Sequence, residues 1–234
     1  TYGGGDQEPP DAAFVDNRLF PQSSDPAFAV LDLGFYSEYG LAFAEALLDR
    51  YGQAGIWRVY ENPPTTTEHI MHPQQFFDGE EAVDLDDSGY LAVLASDGWD
   101  VAYSDTLGEW VTYLMLAPTG FAVDEAAETA ALNAAAGWGG DRYYLLADSD
   151  SGETMLVTHW VWDTSSDAAE FYEALGADLA IRFPTTADVD DLDCRSRSAE
   201  TACTMIIGDD VWLVVAADES QAVQALSKDG GAGE

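Results

Sequence analysis

The stretch GWGGDRYYLLADSDSGETMLVTHWVWD, Gly137 to Asp163, decides how this chain is read. It opens on a glycine knot, runs apolar, turns through Asp-Ser-Asp-Ser-Gly, runs apolar again and ends on an acidic cap. Tyr143 to Ala147 and Thr154 to Trp162 are rich in β-branched and aromatic residues. The Asp/Ser/Gly segment between them is turn chemistry, so the pattern predicts an antiparallel hairpin. Trp138, Trp160 and Trp162 are three of the seven tryptophans. Large aromatics bury the most apolar area per residue, which puts this hairpin at the centre of the core.

Downstream, Thr164 or Ser165 is placed to cap a helix whose Ala168, Phe171, Tyr172, Leu175 and Leu179 form one apolar stripe. Thr204 to Ile207 and Val211 to Ala217 read as a second hairpin through Gly208-Asp209-Asp210, and Ser220 to Leu226 as a last short helix. The order ββα then ββα is satisfied by a mostly antiparallel four-stranded sheet with helices on one face. Upstream the pattern is helical. Asp25 to Tyr51 carries Phe35, Tyr39, Phe43, Ala46 and Leu47 at three- and four-residue spacing. Pro63-Pro64 forces an extended entry into a short helix capped by Thr65 or Thr66 and stopped by Pro73. Glu81 to Asp86 reads as a strand, and Asp105 and Asp124 as caps of two further helices. The expected fold is α+β: a helical part over 25–136 packed with a sheet part over 137–228, in one domain spanning 14–228. Residues 1–13 read as a flexible linker or tail, and 229–234 as a disordered tail. The polar opening TYGGGDQEPPDAA is expected of a mature product or of a piece cut from something longer.

Charge is the loudest signal. The 234 residues include 44 acidic and 8 basic ones, a net charge of −36, and Lys228 is the only lysine. At low salt so many carboxylates repel one another and strain the compact state. In molar salt the Debye length falls to about 3 Å and the repulsion is screened. A carboxylate surface around an ordinary 47 % hydrophobic content is the pattern of a halophilic, haloarchaeal protein. The alternative is an acidic interaction protein, but the acids run along the whole chain and are not gathered in a tail. Nucleic acid is excluded as a partner, because no basic patch exists to neutralise phosphates. Cys194 and Cys203 flank the polar loop RSRSAETA. A disulfide clamping that loop is the simplest reading and implies export; two free cytosolic thiols are the alternative. No 18-residue apolar run exists, so the sequence predicts no membrane span. The expected location is extracellular or at the cell surface, with any attachment made by a segment outside this chain.

Candidate sites are few. Glu68, His69 and His72 share one turn of the short helix, where a metal could take both rings and the carboxylate. The competing reading has one histidine bonded locally and the other exposed. Asp148, Asp150 and Glu153, with Gly152, alternate as in a calcium loop, although a hairpin turn explains the same residues. Asp188, Asp190, Asp191 and Asp193 form a solvated acidic loop. No specific cofactor is implied; loose calcium, magnesium, sodium or potassium binding is expected at such loops. Arg142, one of few cations, is expected to hold the GWGGDRY turn through an ion pair, with Glu109 as a candidate partner, or else to anchor a ligand carboxylate. His159, among Met155, Val157 and Val161, reads as a satisfied core histidine. No nucleophile elbow, phosphate loop or dinucleotide fingerprint is present.

Five stretches taken in order, YGLAFAEALLDRYG, NPPTTTEHIMHP, DTLGEW, AAGWGGDRY and WDTSSDAAEF, resemble the C-terminal part of a family of exported bacterial and archaeal proteins. The resemblance covers about residues 18–220. Longer members carry an upstream HExxH zinc-peptidase-like helix, which this sequence lacks. In the family the position of His69 is often glutamine, which argues against a shared two-histidine site. Two functions are therefore expected. The first is a non-catalytic binding or structural companion at the cell surface. The second is the substrate-binding part of a zinc-metallopeptidase-like protein whose catalytic half lies outside this chain.

Overall fold

A hairpin of strands β2 (Trp138–Asp148) and β3 (Thr154–Trp162) does stand near the centre of the sheet, longer than its apolar runs suggest. A computed structural model describes residues 32–117, 124–189 and 192–227. The expected four strands are part of a seven-stranded sheet. The others are β1 (Trp99–Asp105), β4 (Thr185–Val189) and β5 (Leu192–Arg197), with β6 (Glu200–Ile207) and β7 (Asp210–Ala216) forming the second hairpin. The order is β1-β2-β3-β7-β6-β5-β4, and every neighbouring pair is antiparallel. The three added strands lie at or next to the edges and read WDVAYSD, TTADV and LDCRSR. Edge strands carry polar residues that discourage further pairing, and that erases the alternation a reader looks for. Glu81 to Asp86, expected as a strand, lies outside the sheet. It belongs to no helix or strand, and Val83 N–H donates to Gly139 O at 2.8 Å.

Helices cover both faces, not one. On the first face, Phe171, Leu175 and Leu179 of α8 (Ser165–Arg182) pack on Leu156, Trp160, Trp162 and Leu213. On the second, Tyr90 and Leu94 of α5 (Ser88–Ser96) and Ala222, Ala225 and Leu226 of α9 (Glu219–Leu226) pack on Tyr144, Leu146, Val157 and Trp212. Residues 155–160 of β3 are all buried. A strand covered on both sides reads as a near-continuous apolar run, and MLVTHWVW is one. Helix α8 carries the chain from β3 to the far edge at β4, and β4 to β7 meander back to pair with β3.

The helical half begins with a π-turn over Phe35–Tyr39, followed by α1 (Gly40–Tyr51) and α2 (Gln53–Glu61). Residues 25–31 of the expected long helix lie outside the described residues. Next come α3 (Thr67–Met71), α4 (Pro73–Asp78), α6 (Gly108–Leu116) and the alanine-rich α7 (Glu125–Ala135). Trp110, Tyr113 and Leu114 of α6 build a third apolar cluster with Met71, Ala131 and Ala135, while Met115 enters the first. Helix α6 thereby ties the helical half to the sheet. Cys194 and Cys203 are direct partners across β5 and β6, fully buried and joined by a disulfide.

Candidate functional site

Helix α3 follows Asn62-Pro63-Pro64. Thr66 caps it, its hydroxyl accepting from His69 N–H at 3.1 Å. The His69 ring is used on both sides: Nδ1 accepts from Thr65 N–H at 3.3 Å, so Nε2 donates to Glu80 O at 2.7 Å. His69 therefore has no nitrogen left for a metal. It holds the chain at Glu80 in place, and the expected Glu68–His69–His72 ligand set loses that member.

His72 turns the other way. Its Nε2 lies 2.7 Å from Glu109 Oε1, on the fully buried first turn of α6. The bond to Glu109 raises the His72 pKa. Burial raises that of Glu109 against the opposing pull of His72. Glu109 Oε2 is buried and has no hydrogen-bond partner.

Glu68 is 3 % exposed, and no hydrogen bond or ion pair reaches its carboxylate among the described residues. Burial, and then the charges of Glu109, Asp163 and Glu80, push its pKa up to about 8. One carboxylate oxygen from each of Glu68, Glu80 and Asp163 lies within 4.8 Å of the other two. Each comes from a different place: the first turn of α3, the segment after α4, and the end of β3.

The glycine knot makes this meeting possible. A Cβ on Gly140 would stand 2.8 Å from Val83 O, so only glycine lets the segment that follows Glu80 lie against β2. Asp163 N–H donates to Gly137 O at 2.9 Å, which fixes the other arm. Helix α6 starts beside α3 in the same way. Gly108 has φ +75°, and a Cβ there would come 2.6 Å from Thr67 Oγ1, the atom that accepts from Trp110 N–H at 3.1 Å.

Asp105 does not cap α6. Leu107 occupies the N-cap, and the cap is supplied from β2. Asp141 accepts from the N–H groups of Leu107 and Gly108, each at 2.7 Å, and from Trp138 Nε1 at 3.0 Å. Burial drives its pKa up to about 6, against those three bonds. DTLGEW and GWGGDRY stand far apart in the sequence; Asp141 is the residue that joins them.

Pairing of β1 with β2 ends at Asp105 opposite Tyr143, so residues 138–142 of β2 leave an edge that β1 does not cover. A cleft of about 400 Å³ opens there, walled by Thr65, Thr66, Asp84, Thr106, Trp138 and Arg142 among others. The ion pair expected of Arg142 is not formed: among the described residues no carboxylate, Glu109 included, lies within 4.0 Å of its guanidinium. The turn is held by Asp141 instead.

Asp148, Asp150 and Glu153 do not converge on a common point. Asp148 Oδ1 accepts from Asp150 N–H and Ser151 N–H at 2.7 and 3.0 Å, which closes the hairpin turn, and Glu153 accepts from Gln221. Asp190 and Asp191 lie outside the described residues. Asp193 pairs with Arg195 at 3.4 Å. His159 is held at both nitrogens, Nδ1 at 2.9 Å from Asp87 Oδ1 and Nε2 at 2.7 Å from Asp210 Oδ1.

Compared with known proteins, the chain matches no curated sequence. The crystal structure of the extracellular domain of PknH from Mycobacterium tuberculosis aligns with 64 % of this chain and 95 % of that one, at 11 % identity and a TM-score of 0.37. Residues 100–227 match a family model described as a domain of unknown function, DUF8575. The match takes in Glu109, Asp141, Arg142 and Asp163, while Glu68, His72 and Glu80 precede it. It spans more than half of the chain and nearly the whole sheet, and the protein belongs to the DUF8575 family.

Proposed function

We propose that the protein is an exported, salt-adapted, non-catalytic binding domain, and that its cleft grips a ligand by a carboxylate. Arg142 carries the reading. Six arginines lie among the described residues. Arg50 and Arg58 sit over the rings of Phe77 and Tyr51 at 4.6 and 4.7 Å. Arg182, Arg195 and Arg197 pair with Asp178, Asp193 and Glu200. Arg142, half-buried in the cleft, has neither kind of partner among the described residues, although the chain carries a net charge of −36. A guanidinium offers a planar fork of donors that fits a carboxylate with two bonds, and Thr65, Thr66 and Thr106 line the same space. The Cys194–Cys203 disulfide supports export, since such bonds persist in oxidising compartments. Among the described residues no helix is long and apolar enough to cross a membrane. The charge excess supports work in concentrated salt.

The test is a titration with N-acetylglycine and with its amide, followed by the side-chain Nε–H resonance of Arg142. The free acid is expected to shift that resonance saturably, the amide to leave it in place, and Arg142→Gln to abolish acid binding. Equal binding of acid and amide, or acid binding unchanged in Arg142→Gln, overturns the reading.

A further inference from the structure

We propose that Glu68, Glu80 and Asp163 form a binding site for a hard divalent cation, with calcium the best fit. This site uses none of the residues that carry the Arg142 reading and stands or falls independently of it.

The geometry comes first. The three carboxylate oxygens lie within 4.8 Å of one another. Three oxygens so placed share a point within roughly 2.8 Å of each, a few tenths of an ångström beyond calcium–oxygen bonds of about 2.3–2.6 Å, so a small side-chain adjustment brings all three onto one calcium ion. Magnesium, at about 2.0–2.1 Å, is reached only if the oxygens lie within roughly 4.2 Å. All three donors are oxygen, the preference of a hard ion. His72, the nearby nitrogen donor, is held by Glu109 and is not a member of the trio.

Acids are plentiful in this chain, and proximity alone would mean little. The second observation is the state of the buried members. Glu68 is 3 % exposed and its carboxylate takes no hydrogen bond or ion pair among the described residues, and Glu109, whose charge acts on it, is fully buried with an orphan Oε2. The Glu109 charge acts on Glu68 more strongly than those of Asp163 and Glu80. His72 is the only group that opposes them, and no lysine or arginine contributes. Buried carboxylates persist when donors or cations compensate them, and among the described residues Glu68 has no donor and only the weaker pull of His72 to oppose three acids.

The trio is also held together by bonds other than its own. Thr66 caps the helix of Glu68, His69 fixes the carbonyl of Glu80, and Gly137 O takes the N–H of Asp163. The backbones that carry the carboxylates cannot move apart without breaking these. Burial is graded from Glu68 through half-buried Glu80 to exposed Asp163, which gives the ion a path in and leaves room for water on its outer side. An ion there would tie α3, the segment after α4 and the end of β3 into one unit.

The experiment uses the full chain, stripped with chelator and kept in a fixed molar KCl background. Calcium, magnesium and zinc chlorides are titrated separately by calorimetry, with the melting temperature followed in parallel. One saturable calcium site that raises the melting temperature is expected. Removing one charged ligand in Glu68→Gln or Asp163→Asn should weaken it at least ~10-fold, and Asp148→Asn should not. Unligated Glu68→Gln should melt at or above the unligated wild type, because the amide replaces a buried carboxyl that no hydrogen bond holds among the described residues; this separates lost binding from lost folding. Calcium binding that is equal in Glu68→Gln and wild type overturns the site. Zinc binding that is tighter than calcium and abolished by His72→Gln overturns the hard-ion assignment. No saturable ion binding, with Glu68 simply protonated at neutral pH, overturns both.

Discussion

Raising the pH should cost this protein a definable part of its stability through one histidine. His159 is 6 % exposed and stacked on Trp212 at 3.7 Å between ring centres. Asp87 faces its Nδ1 and Asp210 its Nε2, so both nitrogens must donate and the ring is an imidazolium. Burial pulls its pKa down, but the bonds to Asp210 and Asp87 prevail and push it up to about 9. Against an ordinary value of about 6.5, that is worth about 3 kcal/mol at ~1.4 kcal/mol per pH unit. The Asp210 side chain is 40 % exposed and solvent weakens its share, so about 2 kcal/mol is the figure to test. A raised folded-state pKa means the contribution is full below about 6.5, falls as the pH climbs, and is gone above about 9. The comparison is wild type against His159→Gln, by urea unfolding in fixed molar salt with tryptophan fluorescence, at pH 6, 8 and 10. Glu68 also titrates in this window, and it is present in both proteins, so its effect subtracts out. The variant should be about 2 kcal/mol less stable at pH 6, with the gap closing by pH 10. A gap that stays constant from pH 6 to pH 10, or an NMR titration of His159 centred at or below 6.5, would refute the imidazolium.

Three further outcomes follow from the same geometry. Asp141→Ala strands the N–H groups of Leu107, Gly108 and Trp138 in a buried site. Unfolding free energy should drop by about 3 kcal/mol or more, as measured by urea melts. Gly140→Ala places a methyl 2.8 Å from Val83 O, which must move. The expected cost is about 1–3 kcal/mol, with calcium affinity falling because Glu80 lies on the displaced segment. Transfer from molar salt to dilute buffer should abolish the folded circular dichroism spectrum, since 44 acids face 8 bases; a spectrum that stays native would remove the case for salt adaptation.

The central hairpin was legible because tertiary structure and local pattern agree there: β3 is apolar on both faces and packed on both. Asp124 was legible as a cap, and Thr66 and Thr164 to within one residue (Thr65 or Thr66, Thr164 or Ser165), because each side chain accepts from its own first turn. Three strands were not, because edge strands are short and polar, and TTADV and LDCRSR turn only Ala187 and Val189, and Leu192 and Cys194, to the core. Nor was the candidate site. Glu68 was visible from its helix, but Glu80, Glu109 and Asp163 are three acids among 44, and only the fold selects them. Arg142 was expected to hold its turn, yet the carboxylate beside it does so. One signal was available in DTLGEW: a helix start with leucine at the cap position needs a donor-hungry side chain from elsewhere, and GWGGDRY carries an aspartate next to its glycines.

Asp141 and Glu68 then make a comparison inside one molecule. Both are buried acids beside the start of α6, and burial is the largest influence on each. Asp141 is met by three N–H donors, and they pull its pKa back toward the ordinary range, to about 6. Glu68 receives no such donor, is crowded by three more carboxylates, and stands at about 8. The difference is therefore not burial but compensation. A carboxylate can be kept in a protein interior by donors, by a proton or by a cation. The first is supplied to Asp141 and withheld from Glu68. What is built around Glu68 instead is a set of acids whose backbones are pinned by Thr66, His69 and Gly137, an arrangement that supplies charge to whatever enters and nothing to the acids themselves.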